Sequence, residues 1–246
     1  MTSNLSKSIC LNMIVKNESH IIKKTLENLC NNINFSYWVI CDTGSNDNTC
    51  EIIRNFFKEK NISGELYNNE WKDFGYNRTL ALNNAYNKSD YLLIFDADDS
   101  IYGDFKLPEI LDADKYNLFF DNNNKYIRPL LINNRKRWRF DCILHEFLTN
   151  IDSIEKQETI EGDYYIISGR EGNRNKNPNK YLEDAIILEN ELKKNDCKFK
   201  ERYSFYCANS YYYSGNNTKA IEYYNKVLGL NNWSQEKYIA ALTIGD

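Results

Sequence analysis

Several things are missing from this chain, and each absence narrows what it does. No apolar run approaches the ~20 residues needed to cross a bilayer, which argues against a membrane-spanning helix. The opening stretch, residues 1–7, holds no apolar core of signal-peptide length. The seven cysteines, at 10, 30, 41, 50, 142, 197 and 207, are odd in number, widely spread and form no C-x-x-C pair. They fit reduced, mostly buried thiols of a cytoplasmic protein and not a disulfide framework. A basic excess is absent too: Lys+Arg 31 against Asp+Glu 35 leaves −4, without the footprint that non-specific nucleic-acid binding needs. The one basic knot, Arg135-Lys136-Arg137-Trp138-Arg139, reads as a solvated turn. Histidine is scarce, with only His20 and His145.

The 246 residues leave room for one large domain, or a moderate domain and a small one, and 42% hydrophobic residues can build a substantial core. The chain is organised around Tyr91-Leu92-Leu93-Ile94-Phe95-Asp96-Ala97-Asp98-Asp99. The apolar run reads as a strand buried on both faces. It ends in three carboxylates, which are very unfavourable in a core and must reach an open edge. In an open α/β sheet, ligands bind outside the carboxyl ends of the strands. A hard divalent cation with oxygen ligands suits carboxylates placed there; an ordinary acidic turn is the other reading.

Before this strand, Ser8–Val15 and Tyr37–Cys41 read as strands, and Glu65–Tyr67 as a third, shorter one. Between them lie helical patterns. Ser19 is an expected N-cap for a helix carrying Ile21, Ile22, Leu26 and Leu29. A second helix repeats Ile52, Ile53, Phe56 and Phe57, and a third runs from about Gly75 to Asn87. Strands alternating with helices predict a mostly parallel, Rossmann-like α/β sheet. After Ser100 the pattern turns to strands: Tyr116–Phe120 and Lys125–Ile132 around a turn, then Trp138–Leu148 and Tyr164–Ile167. From Asn179 onward the pattern is helical, with Tyr181, Ala185, Leu188 and Leu192 on one face. The expected division is residues 1–175 and residues 176–246.

Five pieces in this order resemble glycosyltransferase family 2, the inverting enzymes of the GT-A fold. They are Ile14-Val15-Lys16-Asn17-Glu18 after the first strand, the Asp42-Thr43-Gly44-Ser45 turn, Phe74 with Arg78 on a helix, Asp96-Ala97-Asp98-Asp99, and His145-Glu146. The resemblance covers roughly residues 8–175 and implies a donor that is a nucleotide-diphosphate sugar, UDP-linked by expectation. Asp42 would accept hydrogen bonds from base or ribose; otherwise it is a turn residue beside Gly44. Val15, Asn17 and Glu18 would meet the base at the same edge. Arg78 offers a planar, permanently charged fork for a diphosphate or base edge. By the family pattern Asp96-Ala97-Asp98 lines the donor, with Asp96 on the ribose and Asp98 on Mn²⁺ or Mg²⁺, which offsets charge on the leaving group. His145 would complete the metal shell, or be structural. Inversion needs a carboxylate base opposite the leaving group: Glu146 first, Asp141 second. Arg170 and Arg174 would close over the diphosphate.

The helical end resembles one 34-residue tetratricopeptide repeat if Glu201 is its first position. Ala208, Tyr211, Gly215, Ala220, Tyr224 and Leu228 then fall on signature positions, while Asn232 replaces the usual Pro. Such helices imply a protein partner or a homo-oligomer. Two other functions compete with a metal-dependent transfer to a glycan or protein acceptor. One is a non-catalytic, nucleotide-sugar-binding interaction module. The other, a nucleotidyltransferase, is disfavoured because Met13–Ser19 lacks a Gly-rich phosphate loop.

Overall fold

The computed structural model describes residues 7–154 and 156–245, so most of the opening stretch read above lies outside the described residues. The chain divides into two compact units, one ending at Asn173 and the other starting at Arg174. The first unit begins β1 (Ile9–Val15), α1 (Ile22–Asn32), β2 (Tyr37–Asp42), α2 (Thr49–Glu59), β3 (Gly64–Asn68), α3 (Phe74–Ala85) and β4 (Tyr91–Ile94). Strands β3, β2, β1 and β4 lie side by side and all parallel. Residues of alternate parity serve the two faces. Leu11, Met13, Ile40, Leu93 and Phe95 pack with α1 and α2 side chains such as Leu26, Ile53 and Phe57. Cys10, Val39, Leu92 and Ile94 pack on the other face with Leu82 and Ala85 of α3. Burial on both faces explains why these strands are apolar runs without polar alternation.

The first helix starts at Ile22 without a side-chain cap, and not from Ser19. The Ser19 N–H instead donates to Asp47 Oδ2 at 3.2 Å. That residue is held in the loop outside the sheet edge and is unavailable to the helix.

The rest of this unit adds β5 (Ser100–Gly103), β6 (Lys115–Phe120), β7 (Tyr126–Asn133), β8 (Trp138–Asp141), β9 (Phe147–Asn150), β10 (Gln157–Thr159) and β11 (Tyr164–Ile167). The sheet runs β3-β2-β1-β4-β7-β6-β11-β5, with β10 on β6. Strand β7 is antiparallel to both neighbours. The carboxyl ends of β4 and β6 therefore reach the same edge. Pro129 lies beyond the last β4–β7 pair, Leu93 opposite Leu131, where no ladder on that side asks for its missing N–H. The Trp138–Leu148 stretch is not one strand. It is the separate hairpin β8–β9, turned at Cys142–Glu146 by left-handed backbone at Cys142 (φ 78°) and His145 (φ 54°).

The second unit consists of α4 (Lys180–Leu192), α5 (Lys200–Tyr213), α6 (Asn217–Gly229) and α7 (Ser234–Gly245), each packed on the next. Ala185, Leu188, Cys207, Ala208, Tyr211, Ala220, Tyr224 and Val227 are buried, whereas Tyr181 is exposed. Lys219 Nζ and the Tyr223 hydroxyl both donate to Glu189 Oε1, at 2.7 and 3.0 Å, tying α6 to α4. Among the described residues, no helix is long and apolar enough to cross a membrane.

Candidate functional site

The carboxyl ends of β1, β2 and β4 share one edge, with Asp42 closing β2 and Asp96 just beyond β4. Arg78, on α3, is the hub. Its Nη2 donates to Asp96 Oδ1 at 2.5 Å and its Nε to Glu146 Oε1 at 2.6 Å. The three side chains are only 11%, 29% and 13% exposed. Burial alone would push the Asp96 carboxyl up, but Arg78 and Arg128 outweigh it and hold it below the usual range. Burial would likewise lower Arg78, and the two carboxylates more than reverse that. The Arg78 guanidinium also lies 5.6 Å from the Phe140 ring centroid.

The loop carrying Glu146 is fixed to the start of α3. The Phe74 N–H donates to the Ile143 carbonyl at 3.1 Å. A Cβ on Gly75 would come within 2.2 Å of the Cys142 carbonyl oxygen, so only glycine permits this approach. Left-handed backbone at Cys142 and His145 marks strain in the same short loop. Asp141 pairs with Arg139 at 2.9 Å. By strand alternation it lies on the hairpin face opposite Phe140, which is the residue beside Arg78.

Asp98 and Asp99 are covered by the segment Gly169–Asn173. The Gly172 N–H donates to Asp98 Oδ2 and the Gly169 N–H to Asp99 Oδ1, both at 3.1 Å. The Asn173 N–H donates to both Glu18 carboxylate oxygens, at 3.1 and 3.2 Å, and a His20 ring nitrogen meets the Glu171 carbonyl at 2.7 Å. A Cβ on Gly169 would sit 1.8 Å from the Asp98 carbonyl oxygen, and one on Gly172 2.7 Å from Asp98 Oδ2. Gly169 is therefore sterically required, whereas a side chain at 172 would displace the Asp98 carboxylate. Burial, with Asp96 and Asp98 nearby, pushes the Asp99 carboxyl up to about 7.

A cavity of about 490 Å³ opens beside β2 and β3, lined by Asp42, Ser45, Cys50, Arg54, Asn68 and Glu70 among others. Asp42 is buried and takes the Gly44 and Ser45 N–H groups at 3.1 and 3.0 Å, which fixes its turn. Val15 is buried, its carbonyl accepting from Thr43 N–H and Oγ1. Asn17 adopts left-handed backbone (φ 57°), and its Oδ1 accepts from Asn46 N–H at 2.8 Å. The Ala97 carbonyl accepts from Thr25 Oγ1 at 2.7 Å, anchoring the acidic strand end to α1.

The structure thus brings together Arg78, Asp96 and Glu146, and separately Glu18, Asp98 and Asp99 under one strap. Arg174 opens the second unit and is ion-paired there with Asp184. Arg170 is exposed on the strap, where its neighbours Gly169, Gly172 and Asn173 make backbone contacts to Asp99, Asp98 and Glu18. Arg128 was missed. It reaches within 3.9 Å of Asp96 Oδ2 from β7. The only sequence signal was an arginine ahead of Pro129 in a predicted strand, which is too common to single out.

A divalent cation fits the donor chemistry of this edge, since Asp96, Asp98 and Asp99 bring hard carboxylate oxygens to one strand end. Among the described residues, no three His, Cys, Asp or Glu side chains gather around one point. A cation held by one or two carboxylates plus substrate phosphates needs no such cluster. His145 is exposed at the turn of the β8–β9 hairpin.

No curated protein matches the chain. Among solved structures, S. aureus TarS residues 1–349, in complex with UDP-GlcNAc, is similar at TM-score 0.50 and 13% identity, over 90% of this chain and 80% of that one. Mannosyltransferase PcManGT from Pyrobaculum calidifontis, in complex with GDP-Man and Mn²⁺, reaches TM-score 0.47 and 10% identity, over 98% and 81%. The likeness to TarS is one of fold, and it agrees with the GT-A architecture derived above. The model of Glycosyl transferase family 2 matches residues 10–169, and the chain belongs to that family.

Proposed function

We propose that this glycosyltransferase moves a sugar from a nucleotide diphosphate, UDP by preference, to an acceptor hydroxyl with inversion at the anomeric carbon. The observation that carries the reading is the Arg78 hub, which joins a donor-side carboxylate, Asp96, to a second carboxylate, Glu146, on a strained loop. Asp42 and the cavity beside it receive the base; Val15, Asn17 and Glu18, which end and follow β1 at the same sheet edge, are proposed to contact it as well. Asp98, with His145 as a further ligand, would hold Mn²⁺ or Mg²⁺, which supplies charge neutralisation at the diphosphate when bound. Arg78 orients Asp96 and Glu146 in the donor-free protein. Glu146, half-buried and held in place, takes the acceptor proton in preference to Asp141, which faces the other side of its hairpin. Arg170 and Arg174 are proposed to add positive charge over the diphosphate.

The second unit is proposed as a tetratricopeptide-like module for a protein partner or a second copy. The free state of all seven cysteines supports a reducing, cytoplasmic setting. The test is direct turnover. Incubation with UDP-glucose, UDP-N-acetylglucosamine, UDP-galactose and GDP-mannose, with Mn²⁺, should release nucleotide from at least one UDP-sugar. NMR of the product should give an anomeric configuration opposite to the donor's. Retained configuration contradicts the mechanism, and release from none contradicts the activity.

A further inference from the structure

We infer that the overhanging β6–β7 hairpin is the acceptor platform, and that the exposed ring of Tyr126 stacks on a pyranose ring of a saccharide acceptor. This inference rests on the transferase reading above. The topology comes first. Strand β4 pairs with β7 only as far as Leu93 opposite Leu131, while β6 and β7 stay paired out to Phe120 opposite Tyr126. At about 3.3 Å per residue, the hairpin projects roughly 15 Å past that last pair. It forms a wall beside the acidic strand end.

The side chains on this wall lead back to the reacting groups. Tyr126 stacks on Phe120 with ring centroids 5.4 Å apart and planes at 25°. Two residues on, and so on the same face of β7, the Arg128 guanidinium lies 4.7 Å from the same Phe120 centroid. Arg128 then meets Asp96 at 3.9 Å, Asp96 pairs with Arg78, and Arg78 with Glu146. Phe120 is fully buried and Tyr126 is 47% exposed. One ring face is thus backed by a rigid neighbour while the ring stays open to solvent.

Position along the sheet edge decides what that ring meets. A nucleotide-diphosphate sugar is a linear molecule. With its base at β2–β3 and its diphosphate at Asp98, its sugar points towards β7, and the acceptor must approach from beyond. A single exposed tyrosine is ordinary on a protein surface. This one is pre-stacked and stands at the sugar end of the site. An aromatic face backed in this way presents apolar area at little conformational cost. It suits the C–H face of a neutral pyranose, whose hydroxyls the polar turn Asp121–Asn124 can meet.

The experiment uses the full chain loaded with UDP and Mn²⁺ and probes it with four methyl pyranosides: glucoside, galactoside, mannoside and N-acetylglucosaminide. Saturation-transfer NMR reads their binding, and a thermal shift reads UDP. At least one pyranoside should bind. Tyr126→Ala should weaken it about fivefold or more, Tyr126→Phe should retain it, and the UDP shift should be the same in all three proteins. Undiminished pyranoside binding in Tyr126→Ala overturns the inference, as does a wild type that binds UDP but no pyranoside. If Tyr126→Ala instead lowers the extra shift of UDP-glucose over UDP, the ring serves the donor and the assignment is wrong. If no nucleotide diphosphate shifts the wild type, the transferase reading itself fails.

Discussion

Arg78 Nε donates to Glu146 Oε1 at 2.6 Å, across 68 residues of sequence, while its Nη2 holds Asp96. One guanidinium therefore keeps two carboxylates in place that would otherwise repel each other. Arg78→Met should leave Glu146, 13% exposed, without its arginine and Asp96, 29% exposed, with the longer Arg128 contact alone, and cost about 3–5 kcal/mol. Thermal melting should fall by roughly 10 °C or more. Arg78→Lys should recover only part of this, because an ammonium cannot present a fork to two partners. An unchanged melting temperature in Arg78→Met would remove the hub from the account.

Glu146→Gln keeps shape and hydrogen bonding but cannot accept a proton. Transfer should drop by roughly 10²–10⁴-fold with near-normal nucleotide binding. Asp141→Asn should do much less. Steady-state turnover separates the two, and the reverse order would move the base to Asp141.

Gly172→Ala places a methyl 2.7 Å from Asp98 Oδ2, and Gly169→Ala one 1.8 Å from the Asp98 backbone oxygen. Overpacking of this kind costs about 1–3 kcal/mol. Faster hydrogen exchange should appear in residues 169–173 of either variant and spare β2 and β3. Unaltered exchange there would show that the strap tolerates side chains.

The alternation of apolar strands with helices, and the abrupt Phe95-Asp96 boundary, made the sheet and its acidic edge legible in the sequence. Both are properties of local pattern. The strap was not legible in its chemistry: its contacts come from the N–H groups of Gly169, Gly172 and Asn173, which no local pattern announces. A glycine's role is steric and depends on what lies opposite. Ser19 was misread as a helix cap because its competing partner, Asp47, lies 28 residues away. The hairpin turn at Cys142–Glu146 carries no Gly to signal its left-handed residues.

At the opposite end of the strands, Glu65 is held down to about 2 from 4.5 by hydrogen bonds from Lys88, Tyr37 and Tyr67. Its folded value lies below its free value, so the stabilisation is fully present above about pH 4.5 and is lost as pH falls towards 2. Chemical denaturation should show wild type losing stability faster than Glu65→Gln across that window, and a constant difference above it. Because the Glu65 side chain is 38% exposed, high salt should shrink the effect. Parallel pH profiles would contradict it.

The most direct test of the central claim is the thermal shift produced by UDP with Mn²⁺ against UDP with EDTA, in wild type and Asp98→Ala. A ligand that binds only the folded state raises stability by mass action. If the acidic strand end holds a nucleotide diphosphate through a cation, the Mn²⁺ shift should far exceed the EDTA shift in wild type, and Asp98→Ala should abolish most of the difference while melting normally without ligand. Equal shifts with and without metal, or a metal-dependent shift that survives Asp98→Ala, would contradict the account.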